Sequence, residues 1–104
     1  MTDYDKGWIS ALIDGEGCLH WERDKRINRK YPIITIGNTN FVLLLRAQKL
    51  LGGKLYGLGA HASYHKVCWQ LDIRFPSWKN WLHEIPLIQK EVLRQEFLLW
   101  SLKK

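Results

Sequence analysis

Apolar positions along this chain alternate between helical and strand spacing, and together they outline a helix, two strands, a helix, two strands and closing helices. Trp8, Ile9, Leu12 and Ile13 recur three and four apart, which predicts a first helix capped by Thr2 or Asp3 and running to about Asp14, with Gly15 and Gly17 permitting the exit. Residues 18–24 then alternate. Leu19, Trp21 and Arg23 fall on one face, and Cys18, His20, Glu22 and Asp24 on the other. A charged loop at 24–30 leads to a β-branched strand over 31–38, with Pro32 at a tolerated early position. Asn38, Thr39 and Asn40 then cap a helix over 41–51, which Gly52 and Gly53 end.

The second half repeats the scheme. Residues 54–58 form a third strand, and a turn follows through Gly59, Ala60, His61, Ala62 and Ser63. The fourth strand has the cleanest alternation, with Val67, Trp69, Leu71 and Ile73 opposed to Lys66, Cys68, Gln70, Asp72 and Arg74. Phe75, Pro76 and Ser77 break it. A short helix over 77–83 carries Trp78, Trp81 and Leu82, and Pro86 opens a last helix to about Leu102. The fold class is α+β: a four-stranded antiparallel sheet with helices on one face and a polar face left open. Residues 1–104 make one domain, and the six tryptophans all fall on apolar faces, as core residues do.

Charge narrows the partner. Sixteen Lys and Arg against 10 acids give a formal net charge of +6, which suits nucleic acid, although an acidic protein or anionic membrane surface fits the same balance. No stretch reaches the roughly 18 apolar residues of a membrane span, and the acidic start Met1-Thr2-Asp3-Tyr4-Asp5 is unlike a signal peptide. The expected location is intracellular and soluble, in cytoplasm or an organelle matrix, with no membrane partner. Cys18 and Cys68 lack the neighbours of a zinc site and are read as thiols, and His20, His61, His65 and His83 form no metal-spaced pair.

The open sheet face collects His20, Glu22, Asp24, Lys54, Tyr56, Lys66, Gln70, Asp72 and Arg74, with Lys25, Arg26, Arg29 and Lys30 in the adjoining loop. Such a face can lie along a nucleic-acid groove, with alternate side chains at base edges and loop cations at phosphates; the alternative is an ordinary solvated sheet. Carboxylates are unfavourable beside phosphate unless they accept from cytosine amino groups or orient a base-reading neighbour, so Glu22, Asp24 and Asp72 argue for a specific surface.

The first helix ends in an anomaly. Asp14 and Glu16 sit where unpaired carbonyls already carry partial negative charge, and no Lys or Arg lies in that last turn. A bound divalent cation such as Mg²⁺ would offset both; the alternative is that Asp14 closes a local turn while Glu16 is merely exposed. Gly7, Ser10 and Ala11 leave a shallow stripe on the same helix, where either a second copy or the chain's own core could pack.

Ile9-Ser10-Ala11-Leu12-Ile13-Asp14-Gly15-Glu16-Gly17 resembles the LAGLIDADG motif of homing endonucleases and intron maturases. Leu12, Ile13, Asp14 and Gly17 match outright, Gly15 stands for the alanine, and Glu16 stands for the second aspartate. The resemblance implies the αββαββα fold, and a single motif implies a homodimer joined through Gly7, Ser10, Ala11 and Asp14. It further implies cleavage of both strands of a long, pseudo-palindromic double-stranded DNA site with Mg²⁺ and no small-molecule cofactor, often in the service of an intron. Glu16 and the Gly15 carbonyl take the metal positions, and Asp14 is structural. A lysine near the start of the last helix falls on Lys90, with Arg94 as the other candidate. The polar residue at the end of the second strand falls on Gly37 in that register, with Asn38 beside it. The alternative within the family is a non-cleaving maturase or a DNA- or RNA-binding protein.

Overall fold

The computed structural model describes residues 1–59 and 67–104, so Lys66, His61, His65 and the expected turn through Ala60, Ala62 and Ser63 lie outside the described residues. Helix α1 spans Asp3–Glu16 and leads directly into the hairpin of β1 (Gly17–Asp24) and β2 (Arg29–Asn38). Helix α2 (Phe41–Leu51), β3 (Lys54–Gly59) and β4 (Cys68–Arg74) follow, then 3-10 turns at Ser77–Asn80 and Leu82–Glu84, and α3 (Glu91–Ser101). The sheet is antiparallel throughout, in the order β1-β2-β4-β3.

Local chemistry accounts for the boundaries. Thr2 and Asp5 exchange backbone and side-chain hydrogen bonds of 3.0 and 3.1 Å at the start of α1, a reciprocal cap. The Asn40 carboxamide oxygen accepts from the Leu43 N–H at 3.1 Å and starts α2. Gly52 and Gly53 end α2 with φ of 78° and 97°, and a Cβ on Gly53 would stand 2.5 Å from the Asp72 carbonyl oxygen.

The helices cover one sheet face. Ile9 and Ile13 of α1, Leu44 and Ala47 of α2 and Phe97 of α3 pack with Leu19, Ile34, Ile36, Leu71 and Ile73, and nearly all are fully buried. Burial of each large aliphatic among them contributes about 2 kcal/mol. Trp78 and Trp81 complete this core, and their indole N–H groups donate to the carbonyls of Pro32 and Leu51 at 3.2 and 3.0 Å.

Four expectations are corrected. The last helix starts at Glu91 rather than Pro86, because residues 86–90 form a bent segment tied to α1 instead of a first turn. Residues 77–83 are not one helix; Trp81 interrupts them with φ of −135°. The hairpin turn is only residues 25–28, so Arg29 and Lys30 stand in the ladder opposite Asp24 and Arg23. Helix α1 extends to Glu16, and of the two exit glycines Gly17 is the one sterically required: a Cβ there would meet the Ile13 carbonyl oxygen at 2.7 Å, whereas one on Gly15 meets nothing within 4 Å among the described residues.

The two glycines therefore predict opposite effects. Gly15→Ala should stabilise the protein by about 0.4–1 kcal/mol through the unfolded chain, and Gly17→Ala should destabilise it by about 1–3 kcal/mol through overpacking, both read from urea unfolding midpoints.

Candidate active site and nucleic-acid face

At the end of α1 the two acids face different partners. Asp14 turns to its own chain, where its carboxylate accepts from the backbone N–H groups of Ile88 and Gln89, each at 2.9 Å, and of Lys90 at 3.1 Å. The Lys90 ammonium donates in turn to the Asp14 carbonyl oxygen, and the Ser10 hydroxyl donates to the Pro86 carbonyl. These bonds fasten the 86–90 segment along α1 and place Lys90 at the start of α3, beside the Gly15 and Glu16 junction. Burial opposes ionisation of Asp14, but the three backbone donors and the Lys90 charge outweigh it and hold its carboxyl below the ordinary value of 3.8.

Glu16 is exposed, and one of its carboxylate oxygens accepts from the Asn38 side-chain nitrogen at 2.5 Å. Asn38 is itself fixed, because its side-chain oxygen accepts from the Asn40 N–H at 2.8 Å. The structure thus brings Gly15, Glu16, Asn38 and Lys90 to one end of α1. Arg94 is excluded from this group. Its guanidinium is buried, donating to the carbonyls of Leu82 and His83 and to Glu91, and it serves to pin α3 to the preceding 3-10 turn. Gly37, exposed on the sheet surface, adds no polar side chain, and among the described residues a Cβ there would have only the Trp69 carbonyl oxygen nearby, at 3.9 Å.

Gly7, Ser10, Ala11 and Asp14 line one groove of about 440 Å³ with Pro86 and Ile88. Gly7 and Ala11 are exposed there, and Ile88 is 90% exposed.

On the open sheet face every carboxylate holds a neighbour in place. Asp24 accepts from the backbone of Arg26 at 3.0 Å and from its guanidinium at 3.4 Å; these bonds close the turn and depress the Asp24 pKa. Glu22 accepts from the Tyr31 hydroxyl at 2.8 Å, and Arg74 donates to that hydroxyl at 3.0 Å while lying 5.4 Å from the ring centroid. The Glu22 bond, with burial behind it, raises the Tyr31 pKa and keeps the phenol protonated. Asp72 binds Tyr56 and Gln70. His20 and Lys54 stand on the same face at the registers of Ile33 and Asp72, and Lys25 and Arg26 project from the exposed turn.

Three residues of this face were not singled out by their spacing: Tyr31, Ile33 and Thr35. They belong to the run Tyr31-Pro32-Ile33-Ile34-Thr35-Ile36, where apolar residues on both faces hide the alternation. Ile33 is fully buried even on the open face, between the registers of His20 and Arg74.

An archaeal intron-encoded homing endonuclease, I-Vdi141I, solved in complex with DNA, superposes over 91% of this chain with a TM-score of 0.63 and 18% identity. The LAGLIDADG meganuclease I-AabMI, bound to uncleaved DNA, superposes over 92% with a TM-score of 0.65 and 25% identity. The chain has the fold of the LAGLIDADG homing endonucleases. A third such meganuclease, I-CpaMI, also bound to uncleaved DNA, aligns over 94% of the chain with a TM-score of 0.61 and 20% identity. The chain spans 65% of the length of I-Vdi141I, 34% of I-AabMI and 37% of I-CpaMI. No family model matches the sequence, and no curated protein matches it. No helix among the described residues is long and apolar enough to cross a membrane.

The depressed Asp14 pKa fixes the sign of an acid effect. Its contribution to stability is complete above pH 3.8, the unfolded value, and is lost as pH falls through the lower folded value. Asp14→Ala should melt below wild type at neutral pH, and the gap should close as both are taken to strong acid; equal melting temperatures at neutral pH would contradict this.

Proposed function

We propose that this LAGLIDADG-fold chain is a homodimeric, divalent-metal-dependent endonuclease that binds a long, roughly palindromic DNA duplex and hydrolyses both strands. The observation that carries this reading is the Glu16 carboxylate, exposed at the end of α1 and aimed by Asn38, with the Lys90 ammonium on the Asp14 carbonyl oxygen two residues before it. A merely solvated glutamate has no need of a fixed amide partner. The DNA-bound neighbours add support from the fold.

The donor set fits Mg²⁺. Glu16 and the Gly15 carbonyl offer only hard oxygen ligands, and among the described residues no cluster of three or more His, Cys, Asp or Glu forms an all-protein cage. Mg²⁺ is held in this sparse way, by one or two carboxylates together with waters and substrate phosphate oxygens. Bound there, the ion stabilises charge on the phosphate oxygens. Asn38 orients Glu16, and the Lys90 ammonium places a positive charge where negative charge develops.

The stripe of Gly7, Ser10 and Ala11, with Ile88 uncovered at its rim, is the surface on which a second copy packs. Two copies joined there bring two Glu16 sites to one end of the helix pair and set two sheets side by side over the duplex. A non-cleaving maturase or DNA- or RNA-binding protein is the second reading, favoured by one observation: Gly37 leaves the end of β2 without a side chain to position water.

Two outcomes are expected. Glu16→Gln should reduce cleavage of a target duplex at least about 100-fold while binding, measured by fluorescence anisotropy, stays within a few-fold of wild type; cutting at the wild-type rate would remove Glu16 from the metal site. Affinity should fall linearly in log–log form with salt, and Lys25→Ala or Arg26→Ala should each lower that slope by about one. A flat salt response would point to a protein partner.

A further inference from the structure

Gln70 lies near the centre of the open face, at the register of Tyr56 on β3 and Gly37 on β2. Its amide nitrogen donates to the Tyr56 hydroxyl at 2.7 Å and to one Asp72 oxygen at 2.8 Å, and the Tyr56 hydroxyl donates to the other Asp72 oxygen at 2.8 Å. Chemistry fixes every direction in this triangle. A carboxylate only accepts, so the amide nitrogen of Gln70 must face Asp72; the single phenol proton goes to the carboxylate, so the phenol oxygen accepts from Gln70. Burial, and then the bond to Asp72, raises the Tyr56 pKa and keeps that proton in place. Both amide protons of Gln70 are therefore spent. Among the described residues its carbonyl oxygen accepts from none, and it is the group left to meet a partner.

A free glutamine reads adenine with donor and acceptor together, at N6 and N7. Gln70 has only the acceptor to offer, and its complement is an exocyclic amino group. In the major groove that group belongs to cytosine or adenine, whereas guanine and thymine present carbonyl oxygens that an acceptor repels. Gly37 leaves room beside it, since among the described residues beyond its chain neighbours only the Trp69 carbonyl oxygen lies within 4 Å of where its Cβ would stand. A base edge can approach there.

We propose that Gln70 selects an amino-bearing base, cytosine or adenine, at one position of the DNA site through its carbonyl oxygen alone, with Tyr56 and Asp72 as its positioning residues. The assignment rests on the DNA-binding reading above. It holds whether or not the protein cleaves.

Duplexes selected from a randomised pool by wild type, Gln70→Ala and Tyr56→Phe, each first shown to keep the wild-type circular dichroism, test it. Wild type should show one position where cytosine and adenine are enriched about tenfold over guanine and thymine, and Gln70→Ala should flatten that position. Tyr56→Phe, which frees one amide proton, should shift it toward adenine over cytosine. Should Tyr56→Phe fail to fold, wild type and Gln70→Ala decide alone. The assignment is overturned if Gln70→Ala leaves every position as in wild type, or if the Gln70-dependent position favours guanine or thymine. Failure of wild type to enrich any duplex overturns the DNA-binding reading and this assignment together; enrichment without an amino-base position overturns this assignment only.

Discussion

One carboxylate, Asp14, holds this molecule's functional end together. By accepting three backbone N–H groups from residues 88–90, it ties the end of α1 to the start of α3 across more than seventy residues of sequence. Those N–H groups precede or begin a helix and lack intrahelical partners, so a negative charge is favourable there. The same charge that is misplaced at the C-terminus of α1 is well placed at the N-terminus of α3. This resolves the electrostatic anomaly for Asp14 and leaves Glu16, exposed and held by Asn38, as the acid to which the proposed metal site is assigned.

A similar economy governs the open sheet face. Glu22, Asp24 and Asp72 would weaken a simple phosphate-binding surface, yet each is hydrogen-bonded to a neighbour: Tyr31 and through it Arg74, Arg26, and Tyr56 with Gln70. Their effect is to order polar side chains before a partner arrives, which lowers the entropy cost of binding. The face therefore combines a positive overall balance with locally fixed donors and acceptors. That combination distinguishes a reading surface from an electrostatic one.

The sheet was legible in sequence wherever one face is apolar and the other polar. Residues 18–24 and 68–74 alternate as β1 and β4 do, and the Asn40 cap and Gly52-Gly53 stop bound α2. Legibility failed where long-range contacts override local signals. Pro86 reads as a helix start, but Asp14 takes the N–H groups that would begin that helix, and α3 starts five residues later. Arg94 reads as the other candidate for the cation at the site, but the fold wraps it in the carbonyls of Leu82 and His83. At the candidate site, the acidic junction and Lys90 could be picked from the motif and its resemblance. The bond from Asn38 to Glu16 depends on how β2 meets α1, and no spacing encodes it.

On the proposed function, the end of α1 carries metal-dependent phosphodiester chemistry rather than structure alone. Its most direct test is incubation of the protein with a duplex carrying the uninterrupted form of the chromosomal junction that flanks its coding sequence, across a Mg²⁺ titration and in EDTA. Scission of both strands should rise with Mg²⁺ and vanish in EDTA. Tight binding to that duplex with both strands intact at every Mg²⁺ concentration would contradict it.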